Sequence, residues 1–257
     1  MAIAYRSRTE IESIRRAGQV VMEILQTLRA HTQPGVTTGE LDALAVEELR
    51  RRGATSNFKG YSPAAGIPPF PGVICSSVNE EIVHGIPGKR VLREGDIVAL
   101  DFGAVVDGWH GDSAITVPVG EIAPETQHLL DVTQEALRQG IAQARPGKRV
   151  LDISRAIQHY VQAQGCSVVK LYGGHGIGRE LHEDPWTPNY VDSTIPNPLL
   201  RPGMVMCIEP MVNAGRAATR ELKDHWTVVT ADGSPSAHFE HMIAITQDEP
   251  LILTTLD

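Results

Sequence analysis

Cysteine is scarce in this chain. Only Cys75, Cys166 and Cys207 occur in 257 residues, far apart and without a CxxC spacing. A scattered, odd-numbered set excludes a disulfide framework and a thiolate zinc knuckle, and it fits a reducing compartment. Long apolar runs are missing too: stretches such as 97–100 and 204–208 fall far short of the ~20 residues that cross a bilayer. The N-terminal segment carries charge from Arg6 onward and has no apolar core, so no secretory signal is expected. Basic charge is in deficit, with 23 Lys and Arg against 31 Asp and Glu for a net −8. A protein built to hold nucleic acid needs the opposite balance. Neither a DNA partner nor a membrane is expected. With 42% hydrophobic and 21% charged residues, the composition is that of a folded globular protein and excludes disorder.

What the chain does contain is an internal repeat. Gln33-Pro34-Gly35 followed by Leu41, Ala45, Leu49 and Gly53 returns as Arg145-Pro146-Gly147, Ile153, Ile157, Val161 and Gly165, at a constant offset of 112. In both copies Pro-Gly ends one helical pattern, apolar residues four apart carry the next, and Gly stops it. The run from Arg93 to Asp101 likewise resembles Arg201 to Glu209, at an offset of 108. Both runs are apolar strands expected to end on a carboxylate, Asp101 or Glu209. A charge there is costly if buried unpaired, so it calls for a cation, an ionic partner or water.

Periodicity predicts helices at 8–31, 38–52, 125–143 and 150–164. Strands are expected near 73–78, 82–84, 96–105, 109–117, 167–173, 180–184, 204–212, 225–230 and 238–246. This is an α+β layout, helices lying on the outer face of a curved antiparallel sheet. Residues 1–257 are expected to form a single domain of two related halves, about 8–120 and 125–250. The Pro/Gly-rich stretch 62–72 reads as a loop.

Asp107-Gly108 is a hairpin turn signal between two strand-like runs. With those two residues in the turn, Asp101 faces Ala114 and Asp112 faces Gly103, which makes the aspartates diagonal neighbours on one face. Like charges that close repel unless a cation lies between them. The alternative is a salt bridge, for which Arg90 and Arg93 are the nearest basic candidates. His175 and His182 stand seven apart in a glycine-rich stretch whose backbone can approach a neighbour closely. Glu209 and Glu240 add carboxylates at further strand positions. Four carboxylates and an imidazole suit Mn, Fe, Co or Zn in a dinuclear site, and not a soft thiolate site.

The segments SVNEEIVHGIP (77–87), LDFG with a second Asp eleven residues after the first, GGHGIGRELHEDP, CIEPMVN (207–213) and AHFEHMIAIT (237–246) resemble the type I methionine aminopeptidases of the pita-bread metallopeptidases. Their order and spacing agree from about Thr9 to Thr254. The resemblance implies a pseudo-two-fold pita-bread fold and removal of the initiator methionine from nascent polypeptides. It also implies two divalent ions. Asp101 and Asp112 hold one, with Asp112 bridging to the second; His175 and Glu209 complete the second, and Glu240 bridges both. A metal-bridging hydroxide then attacks the first peptide bond with Glu209 as general base. His84 bonds the scissile amide nitrogen, and His182 stabilises charge growing on oxygen.

Phe58, Tyr61, Phe70, Cys75, Leu181 and Trp226 match the family's pocket for the methionine side chain. Leu181 departs from it, standing where an aromatic is usual. Eight residues, 62–69, separate Tyr61 from Phe70, more than the usual spacing. That leaves open a reshaped pocket rim, an unremarkable longer surface loop, a related aminopeptidase with another N-terminal preference, or an X-Pro peptidase. Only 26 residues separate His182 from Glu209, too few for the helical insert of the type II branch. The remaining expectations are a bacterial, cytoplasmic, monomeric enzyme near the ribosome, acting on the N-terminal Met of peptides and nascent proteins.

Overall fold

Ser7 starts the first helix, α1 (Arg8–His31): its side chain accepts from the Glu10 amide while the Glu10 carboxylate accepts from the Ser7 amide. This reciprocal pair satisfies two N–H groups that the helix cannot. Thr37 and Glu40 repeat the device at α2 (Thr38–Arg52), which stops at Gly53 in the left-handed conformation, φ 63°. The structure, a computed structural model, describes residues 2–256.

Five strands follow: β1 (Thr55–Ser56), β2 (Ile74–Val78), β3 (Glu81–Val83), β4 (Ile97–Val106) and β5 (Trp109–Pro118). A second helix pair comes next, α3 (Pro124–Ala142) and α4 (Val150–Ala163). After it run β6 (Ser167–Val168), β7 (Gly173–Gly176), β8 (Glu183–Pro188), β9 (Val205–Ile208) and β10 (Met211–Asn213). The chain closes with β11 (Thr219–Glu221), β12 (Val228–Thr230), β13 (Ser236–His238), β14 (His241–Ala244) and β15 (Leu251–Ile252). The named pairings are all antiparallel. They divide into four hydrogen-bonded groups: β1-β4-β2 with β5 on β4, β13-β10-β6, β11-β12-β3, and β15-β14-β9-β7-β8.

Equivalent residues of the repeat make equivalent contacts. Gly35 and Gly147 have φ of 94° and 85°, and Gly95 and Gly203 have 89° and 93°, values open to glycine at little cost. The Gly35 amide donates to Leu92 and the Gly147 amide to Leu200, while Thr37 bridges Val91 and Arg149 bridges Leu199. Helices α1 and α2 bury Ile24, Leu25, Leu28 and Leu41 against Leu100 and Phe102 of β4. Helices α3 and α4 bury Leu129, Leu137, Ile153 and Ile157 against Met206 and Ile208 of β9. Each such side chain stabilises the fold by ~1.5–3 kcal/mol relative to exposure.

Several strands differ from expectation, and the differences shape the site. Strand β4 continues through Asp101 to Val106, so Asp101 sits mid-strand and not at a strand end. The expected strand 204–212 breaks at Glu209-Pro210, because proline has no N–H to give a ladder. The expected strand 238–246 breaks at Phe239-Glu240, directly across from it. The stretch 167–173 is strand only at its two ends, β8 begins at 183 and not 180, β12 begins at 228 and not 225, and β1, β11 and β15 lie outside the expected strands. Among the described residues no helix is long and apolar enough to cross a membrane.

Candidate metal centre

Asp107 and Gly108 turn the β4–β5 hairpin with φ of 51° and 74°, both positive as a two-residue type I′ turn requires. The register pairs Asp101 with Ala114 and Gly103 with Asp112, as the turn signal predicts. Both aspartates line one cavity of about 540 Å³. Arg90, the salt-bridge alternative, instead lies 3.5 Å from Glu81.

His175 comes from β7, where glycine is required on either side. A Cβ at Gly174 would collide with the Cys207 carbonyl, and one at Gly176 with the Asp184 carbonyl, so any other residue would push β7 from its neighbours. The His175 Nδ1 lies 2.9 Å from the Gly176 carbonyl, which fixes the proton there and leaves Nε2 as the free ligand atom. That Nε2 stands 3.8 Å from Asp112 Oδ2 and 3.6 Å from Glu209 Oε1. Such separations suit ligands sharing an ion at about 2.0–2.2 Å from each.

Glu209 and Glu240 occupy the two facing strand breaks. Asn189 donates to the Glu209 carbonyl at 3.0 Å, Ser113 donates to the Glu240 carbonyl at 2.6 Å, and the Glu240 amide donates to Ala114 at 2.9 Å. Backbone groups freed by the breaks are thereby satisfied.

The carboxylates behave as a set built for cations. Asp101 Oδ1, Asp112 Oδ1 and Glu240 Oε1 are buried without a hydrogen-bond partner, a condition that calls for an ion or water. Burial pushes the Asp101 carboxyl up to about 7. Burial, and then the neighbouring carboxylates, push Asp112 and Glu240 well above the usual range. Glu209 goes the other way: burial raises it, but His238, His175 and His182 together outweigh that and hold it low. A divalent cation would offset both the burial and the mutual repulsion that raise the other three. Oxygen and imidazole donors with no exposed competitor fit such an ion.

Both candidate histidines flank this cluster. His84 follows β3 in a left-handed conformation, φ 59°, and burial lowers its ring to about 4. Burial, and then the His175 ring, lower His182 to about 4 as well. Near neutral pH both are uncharged, each with one N–H to donate. Tyr61 Oη lies 3.0 Å from His182 Nδ1, and the His84 ring meets Tyr172 edge-on at 5.5 Å.

All six expected pocket residues line the cavity. Phe58, Phe70, Cys75, Leu181 and Trp226 also belong to a buried cluster with Cys207 and Met242, with Tyr61 packed against it. The Phe70 amide donates to Tyr61 and the Gly60 amide to Phe70, both at 2.9 Å, so residues 62–69 bulge from a closed base. Their tip is exposed, Pro63 reaches the cavity, and Trp226 Nε1 donates to the Pro68 carbonyl at 2.8 Å. The segment therefore forms part of the rim.

Sequence reasoning passed over Tyr172 and His238, which line the cavity, and Cys207, which stands beside the ligand cluster. Tyr172 stands beside the glycine run, and His238 lies inside a segment quoted for its glutamate; alternation of β13 with Glu240 was the available signal. Cys207 was set aside as a scattered thiol, yet it lies two residues from Glu209 with its sulfur within 4.8 Å of ligand atoms of Asp112, His175 and Glu240.

An antiparallel α+β frame that lines one cavity with four carboxylates and an imidazole is of the metallopeptidase type. Residues 12–247 match the model for metallopeptidase family M24, and the chain belongs to that family. It is 48% identical to methionine aminopeptidase of Aquifex aeolicus over 100% of both chains. It is 50% identical to methionine aminopeptidase 1 of Bacillus subtilis, over 98% of this chain and 99% of that one. The crystal structure of methionine aminopeptidase from Thermotoga maritima superposes with a TM-score of 0.93 at 42% identity, covering 99% of this chain and 100% of that one. Family membership carries with it the use of divalent metal.

Proposed function

We propose that this chain removes the N-terminal initiator methionine from nascent polypeptides by metal-dependent hydrolysis of the first peptide bond. The observation that carries this reading is the meeting of three unpartnered carboxylate oxygens and His175 Nε2 in a cavity walled by apolar and aromatic side chains. The likeness to named methionine aminopeptidases over the full chain supports the choice of methionine. Two divalent ions, from Co, Mn, Fe or Zn, would be held by Asp101, Asp112, His175, Glu209 and Glu240. When bound, such ions polarise a carbonyl and activate water near neutral pH. In this reading residues 1–257 act as one catalytic domain, monomeric and cytoplasmic, working close to the ribosome.

The residues divide the remaining work by their charge. Glu209 is the one carboxylate of the four held below its usual range, so it stays ionised, the form in which it would serve as general base. His84 and His182, as neutral N–H donors, would bond the scissile amide and the carbonyl oxygen as it gains charge. Phe58, Phe70, Cys75, Leu181 and Trp226 exclude water around one apolar side chain, with Tyr61 at the rim.

Metal-reconstituted protein tested on Met-Ala-Ser, an Ala-Pro peptide and a Met-X series with varied second residue decides the matter. Release of methionine is expected. Cleavage of Ala-Pro with Met-Ala-Ser left intact would overturn it in favour of an X-Pro peptidase. Preference for another first residue would favour a related aminopeptidase, a reading that Leu181 and the 62–69 rim keep open.

A further inference from the structure

His238 has none of the roles assigned above, although it lies at the centre of the site. It is the last residue of β13, two before Glu240, and only 1% exposed. Thr116 pins its backbone from both directions: Oγ1 donates to the His238 carbonyl at 2.8 Å and accepts from the His238 amide at 2.9 Å. Pairing with Met211 of β10 holds the same residue from the other side. With its main chain fixed, the ring lines the cavity.

There it meets Glu209. His238 Nε2 stands 3.4 Å from Glu209 Oε2, while His175 Nε2 stands 3.6 Å from the other oxygen, Oε1. The carboxylate thus lies between two imidazoles, one on each oxygen. Neither ring nitrogen of His238 has an aligned hydrogen-bond partner, and a buried polar side chain left so is costly unless it serves a neighbour or a ligand.

We propose that His238 is a positioning residue for Glu209, donating Nε2–H to Oε2 so that Oε1 is presented to the ion held with His175. A carboxylate free to rotate presents either oxygen, or both, and loses orientation each time an ion leaves. An imidazole anchored through Thr116 selects one orientation before the ion arrives. Partners one bond removed from a metal ligand act in this way, and losing them typically weakens metal binding by about 10–100-fold. The inference rests on the metal site assigned under the proposed function.

The test measures Mn²⁺ affinity of the metal-free protein by calorimetry and the visible spectrum of the cobalt(II)-loaded protein. His238→Ala and His238→Leu should weaken Mn²⁺ binding by about 10–100-fold and shift the cobalt bands. His238→Gln, which keeps an N–H donor, should recover most of the affinity and the spectrum. Melting of each metal-free variant shows which are folded, and the Leu variant preserves bulk if Ala does not fold. Wild-type affinity and an unchanged spectrum in either folded variant would overturn the proposal, as would a Gln variant no better than Leu. Wild-type protein that binds Mn²⁺ but leaves Met-Ala-Ser intact would instead sink the proposed function, while the effect of His238 on binding would stand.

Discussion

Glu209 and Glu240 stand beside each other because two antiparallel pairings are interrupted at the same height. Ile208 pairs with His241 on one side of the gap and Met211 with His238 on the other, so the residues between, Glu209-Pro210 and Phe239-Glu240, face each other without a regular ladder. A regular strand would alternate its side chains between faces; the breaks free both glutamates to turn toward Asp112 and His175.

Removing Glu240 should empty the proposed metal site. Glu240→Ala is expected to abolish metal retention and peptide hydrolysis while leaving the fold, because Glu240 Oε1 has no hydrogen-bond partner to lose. Metal content after gel filtration, alongside circular dichroism, checks this. Full activity in the variant would sink the ligand assignment.

Asp101 gives the metal-free protein a pH dependence of stability with a definite sign. Its folded pKa, about 7, lies above the ordinary 3.8 of an exposed aspartate, so between those values the folded state holds a proton that the unfolded chain has released. Stability from this group is full below about 4 and is lost as pH rises through about 7. His84 and His182, lowered to about 4, act in the opposite direction, adding stability as pH rises from about 4 to 6.5. Between pH 6.5 and 8 only the Asp101 effect remains of these three. Asp112 and Glu240, also raised, act in the same direction as Asp101, so the melting temperature of the metal-free protein should fall across that interval, and Asp101→Asn should lessen the fall. An equal fall in the variant would assign it elsewhere.

The two flanking histidines should matter for rate more than for folding. His84→Ala and His182→Ala are each expected to cost about 10²–10³ in kcat if the lost N–H served the developing oxyanion or the scissile amide. Because both rings stay neutral down to about 4, their own protonation should not reduce the rate between pH 5 and 8. Metal-saturated kcat profiles measure this, and a histidine-type fall near pH 6.5 that disappears in His182→Ala would contradict it.

Trp226 ties the long rim segment to the pocket. Trp226→Phe removes the indole N–H given to Pro68 but keeps the edge-on contact with Phe70 at 5.1 Å. The loss should be about 0.5–1.5 kcal/mol of local stability, read as faster proteolysis within 62–69 and a raised KM for Met peptides, with little change in melting temperature. Unchanged proteolysis and KM would mean that the rim is held by other contacts.

Phe102 is wholly buried under α1 and α2, and Phe102→Ala should destabilise by about 3–5 kcal/mol through the cavity left behind. Denaturant titration of the metal-free protein reads this directly.

Much of the site was legible in the chain because its signals are local or periodic. Asp107-Gly108 dictates a two-residue turn, and the turn dictates the register that makes Asp101 and Asp112 diagonal neighbours. Capping pairs at Ser7 and Thr37 and stop glycines at 53 and 165 set the helices within a residue or two. The repeat marks Asp101 and Glu209 as related positions before any strand is paired. Resemblance supplied the roles of His175, Glu240, His84 and His182, which no local pattern specifies.

Tertiary structure decided what depends on contacts between distant segments. Asp101 lies mid-strand and Glu209 in a break, so the repeat places their backbones alike but not their strand context. The rim at 62–69 closes on its base through hydrogen bonds between Tyr61 and Phe70, which sequence length alone could not separate from a displaced pocket. His238, 29 residues away in the chain, reaches Glu209 across the gap between sheets, and Cys207 comes within 4.8 Å of Glu240. Hairpin register and helix caps follow from rotation about a few neighbouring bonds. The orientation of a buried carboxylate follows from which rings and strands the whole fold brings beside it, and for Glu209 that is His175 on one oxygen and His238 on the other.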